Sequence, residues 1–105
     1  MLTTYPPLKT GSLLAGHHTP AGEQKALVLL DKNGQKVIYK TFAAGERMPT
    51  HHAPAEVLVT VLAGRLVITV LETSTEVEAG DYLVIPAGAP HALDCLEAAR
   101  ILIFR

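Results

Sequence analysis

Gly45-Glu-Arg-Met-Pro-Thr-His51-His-Ala-Pro-Ala-Glu-Val57-Leu-Val-Thr-Val-Leu-Ala-Gly64 and Gly80-Asp-Tyr-Leu-Val-Ile-Pro86-Ala-Gly88-Ala-Pro-His91-Ala-Leu-Asp-Cys95 are the two stretches that decide the fold. Each sets a short apolar, β-branched run among Gly, Pro and Asp, the residues that turn a chain. The same grammar holds outward from them. Ala26-Leu-Val-Leu-Leu30 and Lys36-Val-Ile-Tyr-Lys-Thr-Phe42 flank Asp31-Lys-Asn-Gly34. An Asn-Gly pair between two such runs predicts a hairpin, because both central residues must take positive φ. Val57–Leu62, Ala63-Gly64 and Arg65–Leu71 read as a second hairpin. Glu76–Glu78 leads into a turn at Ala79-Gly80-Asp81, Tyr82–Pro86 forms a further strand, and Arg100–Arg105 closes the chain. Seven or eight short strands at such spacing predict an all-β sandwich or barrel. Leu93–Ala99 alone reads as locally helical.

Composition narrows the class. The chain has 105 residues, 49% hydrophobic and 18% charged, with formal net charge −1, which fits one domain with its own core. That apolar content excludes a disordered segment. Nine Lys+Arg against ten Asp+Glu, with no basic run, leaves no electrostatic footprint for nucleic acid. No apolar run approaches the ~20 residues of a membrane helix, and Met1–Lys9 lacks the pattern of a signal peptide. The single Cys95 points to a reducing, cytoplasmic setting. Three of the seven prolines and three of the eight glycines fall within residues 1–24, which reads as an extended arm preceding a barrel at 25–105.

Several strands are apolar at nearly every position, notably Leu27–Leu30, Val57–Leu62 and Leu66–Leu71. Successive side chains of a strand face opposite ways, so both faces of these strands need cover. A barrel covers only the inner face. A homodimer is expected to cover the outer one, the alternative being that the N-terminal arm folds back over it.

The two opening stretches resemble the signature motifs of the cupin superfamily, small β-barrels of jelly-roll type. Gly45, His51 and Gly64 fall in register with the first motif, and Gly80, Pro86, Gly88 and His91 with the second. The resemblance implies a single jelly-roll β-barrel of short antiparallel strands. It also implies a site, since metal-binding cupins hold an ion with two histidines and a glutamate of the first motif and a histidine of the second. Here His51 and His91 are retained, while the other two ligand positions hold Ala53 and Val57. Cys95 replaces the final asparagine of the second motif and reads as a buried small residue lining the pocket, or as a soft ligand.

His52 and Glu56 each stand one residue from a vacant ligand position, so strand alternation aims them away from the interior. A bulge that re-aimed either would rebuild a site with His51 and His91, like the two-histidine-one-carboxylate iron centre or an open zinc site. His17 and His18 read as surface loop residues, and Glu72, Glu76 and Glu78 as a solvated strand edge. Tyr39 and Tyr82 are candidates for a polar rim. His51 and His91, pointing into one cavity, have three available roles: weak binding of a divalent metal (Zn, Fe, Ni or Mn), metal-free acid/base catalysis, or orientation of a small polar ligand. The expected function is a small-molecule-binding barrel with a pocket of His51, His91, Ala53, Val57 and Cys95. The alternative is a metal-dependent oxygenase or isomerase using His51 and His91, or a metal-free acid/base enzyme.

Overall fold

The computed structural model describes residues 4–14 and 26–105. His17 and His18 lie outside the described residues, as does the junction expected between arm and barrel. The described residues hold seven strands and no helix: β1 (Ala26–Lys32), β2 (Gln35–Phe42), β3 (Arg47–His51), β4 (Val57–Val70), β5 (Thr73–Glu78), β6 (Tyr82–Ile85) and β7 (His91–Phe104). Every pairing is antiparallel. The all-β jelly roll implied by the motifs is therefore the architecture found, although the sheet does not close into a continuous ring. Its order is β1-β2-β7-β4-β5, with β3 added to β7 and β6 to β4.

The long strands β4 and β7 pair along their length and belong to two layers at once. The N-terminal half of β4 and the C-terminal half of β7 carry β6, β2 and β1 beside them. The other halves carry β5 and β3. One apolar core, with Val59, Ile85 and Ile101 from the first layer and Ile68, Val77 and Leu93 from the second, fills the space between them.

The first hairpin forms as expected: Asn33 and Gly34 sit at φ 54° and 81° between β1 and β2. The second does not. Ala63-Gly64 makes no turn; β4 runs straight through it, and the register against β7 slips between Val61 and Leu66. Gly64, at φ 82°, is the centre of a bulge, which needs the same glycine conformation as a tight turn. The bulge resets the side-chain phase. Val57, Val59 and Val61 point to the core before it, whereas Leu66 and Ile68 do so after it. Leu58 and Val67, on the opposite face from these, are apolar too, which is why β4 reads as apolar at nearly every position. The chain reverses instead at Leu71-Glu72, where Leu71 adopts φ 55° and Val70 pairs with Thr73.

Leu93–Ala99 lies inside β7 and is not helical. Leu93 and Cys95 alternate into the core while Asp94 pairs across to Arg47 and Val67. Ladder hydrogen bonds on both sides outweigh the weak helical preference of so short a segment.

Candidate functional site

A cavity of about 470 Å³ opens between the two layers. His51 ends β3, His91 begins β7, and the two are directly opposed across the antiparallel pair. Their rings meet edge-on, with centroids 4.1 Å apart and planes at 64°. His91 is buried and His51 exposed, so the pair runs from the interior to the mouth. Both line the cavity.

Each ring is held the same way. His51 Nδ1 lies 3.2 Å from the Pro49 carbonyl and His91 Nδ1 lies 3.0 Å from the Ala89 carbonyl. A carbonyl oxygen only accepts, so each Nδ1 donates its hydrogen, and in the neutral ring Nε2 then carries the lone pair. Two imidazoles fixed in this tautomer offer their Nε2 atoms as acceptors or ligands.

Ala53 and Val57 occupy the cavity wall, where they add apolar surface and no donor atom. Ala53 is half-buried, and its carbonyl accepts from Gly88 N at 2.7 Å, which ties this segment to the turn before His91. Val57 is buried at the start of β4. Cys95, expected in the pocket, belongs to the core and not to the cavity wall. Its thiol donates to the Glu97 carbonyl at 3.0 Å, which binds the sulfur within β7. Glu56 is exposed and also absent from the wall, but His52, exposed at the rim, contributes to it. Tyr39 is buried and donates from its hydroxyl to the Leu13 carbonyl, and Tyr82 is exposed; neither lines the cavity. Glu76 pairs with Arg65 on an outer face.

This donor set does not fit a resident metal ion. No third His, Cys, Asp or Glu joins His51 and His91 in a metal-holding group among the described residues. Two neutral imidazoles alone fall short of the three or four protein ligands of a stable zinc or iron site.

The cavity has a second polar feature that the sequence reading did not single out. Lys36, Ile38 and Lys40 are alternate residues of β2, so all three side chains face the cavity, and Arg105 joins them. Arg105 is held beside Lys36 by paired backbone hydrogen bonds, Lys36 N to Arg105 O and Arg105 N to Lys36 O. Lys40 Nζ lies 3.4 Å from Met48 Sδ and 5.3 Å from the centre of the Phe42 ring. Among the described residues no Asp or Glu lines the cavity. The i, i+2, i+4 spacing of Lys36, Ile38 and Lys40 was the available signal, but sequence alone does not say which face of β2 looks inward.

Comparison with known proteins places these observations. The family of the cupin domain matches residues 38–104. No curated protein sequence matches the chain. Among solved structures, a cupin superfamily protein from Desulfitobacterium hafniense superposes with a TM-score of 0.82 at 20% identity, over 93% of this chain and 91% of that one. A conserved protein of unknown function from Streptococcus pyogenes is 29% identical, with a TM-score of 0.71 over 75% of this chain and 69% of its own. A salicylate 1,2-dioxygenase from Pseudaminobacter salicylatoxidans is 20% identical, with a TM-score of 0.64; the match covers 67% of this chain and 20% of the dioxygenase.

Proposed function

The chain belongs to the cupin family, and from that premise we propose that its barrel binds a small, largely apolar organic acid. The observation that carries this reading is the unequal lining of the cavity: Lys36, Lys40 and Arg105 on one side, the histidines at the mouth, mostly aliphatic residues over the rest, and no Asp or Glu among the described residues. A cavity of about 470 Å³ suits a ligand of modest size. The acid group sits against Lys36 and Arg105, where cations between low-dielectric walls favour an anion. The apolar body packs on Ile101, Ile103 and Val59. A hydroxyl or amide N–H on the ligand donates to the Nε2 of His51 or His91, the atoms that the Nδ1 bonds leave as acceptors.

The test uses 4-phenylbutyrate, octanoate and 1-naphthoate beside their neutral amides, followed through the imidazole proton resonances of His51 and His91. Saturable shifts with at least ~10-fold tighter binding of acid than amide support the reading, and Lys36→Gln should remove that preference while the fold is unchanged. Equal affinity for acid and amide, or no shift with any of the six compounds, overturns it.

A further inference from the structure

The β2 wall of the cavity is patterned along its length. Lys36, Ile38 and Lys40 follow one another on the face that looks inward. The ladder to β7 sets a neighbour beside each on that same face. Lys36 lies next to Arg105 through their paired backbone hydrogen bonds, Ile38 opposes Ile103, and Lys40 opposes Ile101. The wall is thus cationic at the Lys36 end, aliphatic through its middle, and cationic again at the Lys40 end.

The two ends are well separated. A strand advances ~3.4 Å per residue, so the Cα atoms of Lys36 and Lys40 stand ~13 Å apart. The Lys40 side chain does not shorten that span. Its Nζ lies 3.4 Å from Met48 Sδ and 5.3 Å from the centre of the Phe42 ring, two residues further along β2 and away from Lys36. Asp31 opposes Lys36 in the ladder between β1 and β2, but it is exposed and lies off the cavity wall. Lys36 also keeps Arg105 beside it as a second cation at that end.

We propose that the ligand of this cavity is an α,ω-dicarboxylic acid of medium chain length, with one carboxylate held by Lys36 and Arg105 and the other by Lys40. The proposal rests on the reading of the cavity as an organic-acid site and names the class of acid. A monoacid seated at Lys36 and Arg105 lays its apolar tail against the Lys40 ammonium, which takes water from a charge without replacing it. A diacid instead lays its methylenes along Ile38, Ile103 and Ile101 and brings a second carboxylate to Lys40. A thioether is a weak acceptor, so a carboxylate displaces Met48 Sδ from the ammonium and forms a charge-assisted hydrogen bond in its place. The spacing also sets the length of the acid. Succinate is too short to touch both ends, whereas suberate and sebacate reach from one to the other.

The test titrates the full chain with succinate, suberate and sebacate, their monomethyl esters, octanoate and octanamide, by calorimetry and through the imidazole resonances of His51 and His91. Suberate or sebacate should bind at least ~10-fold tighter than its monomethyl ester, the gain expected of one charge-assisted contact. Succinate should show no such gain over monomethyl succinate. Lys40→Gln should bring suberate and monomethyl suberate to equal affinity with an unchanged circular dichroism spectrum. The chain-length comparison in the wild type decides the matter if that variant does not fold. A preference for octanoate over octanamide without any gain for suberate or sebacate overturns this inference and leaves the organic-acid reading standing, as does a gain equally large for succinate. No binding by any of the acids overturns both.

Discussion

Gly64→Ala tests the feature on which the whole inner face of β4 depends. A Cβ built on Gly64 would lie 2.1 Å from the Ala98 carbonyl oxygen and 2.6 Å from Ala99 Cα. Both atoms are backbone of β7, the strand that β4 pairs with on either side of the bulge, so neither can swing aside. The residue also sits at φ 82°, where an L side chain costs about 1–2 kcal/mol. Overpacking against a fixed neighbour adds about 1–3 kcal/mol. Together these amount to about 3 kcal/mol, a large share of the 5–15 kcal/mol that holds a typical domain folded. For a domain of this size that corresponds to a fall in Tm of about 10–25 °C.

Gly34→Ala is the internal control. Its φ of 81° matches that of Gly64, yet a Cβ there meets nothing within 4 Å, so only the conformational cost of about 1–2 kcal/mol applies. Urea and thermal unfolding of the two variants, run at one protein concentration, isolate the steric part. If Gly64→Ala is no more destabilising than Gly34→Ala to within ~0.5 kcal/mol, the close contact between bulge and β7 is refuted, and with it the explanation of the phase slip.

Two further outcomes are expected. Leu71→Asn should raise stability by about 0.5–1 kcal/mol in urea unfolding, since Leu71 is exposed at φ 55° and Asn tolerates that conformation better; a loss of stability would show that Leu71 is held there by packing. Ala53→His combined with Val57→Glu should weaken the metal-free protein, because Val57 is buried, and added Zn²⁺ or Ni²⁺ should restore its Tm while one equivalent of metal binds. Elemental analysis of the wild type finding one tightly held equivalent would contradict the two-imidazole account.

What was legible in the sequence is what glycine and proline spell locally. Asn33-Gly34 specified a hairpin because few residue pairs take two positive φ values in succession. Gly45, Gly80, Pro86 and Gly88 placed His51 and His91, and the structure brings those two rings into contact. Gly64 misled because a bulge and a turn ask the same thing of a glycine, and only the partner strand distinguishes them. The true reversal, at Leu71-Glu72, carries no turn residue at all; it is imposed by the ladders on either side of it. Cys95 stood at a motif position yet packs in the core, and Lys36, Lys40 and His52 joined the cavity wall without a motif. Their placement depends on which face of a strand looks inward, a property of the assembled sheets.

The same dependence on assembly explains the composition. A barrel with water on both outer faces would alternate apolar and polar residues along each strand, and β5, with Ser74, Glu76 and Glu78 outward and Val77 inward, does so. β1 departs from that rule at a bulge between Val28 and Leu30: Leu27 and Leu30 share the outer face, Val28 lies opposite inward Ile38, and all of Leu27–Leu30 are exposed. β4 departs as well, since Leu58 before its bulge and Val67 after it are apolar and face away from the core. The apolar surplus on the outer face is therefore Leu27 and Leu30 of β1 with Phe104, Leu58 and Val84 of β7, β4 and β6. A 49% hydrophobic content with so few charges is therefore distributed over two places, the core between the layers and the outer face of β1, β7, β4 and β6.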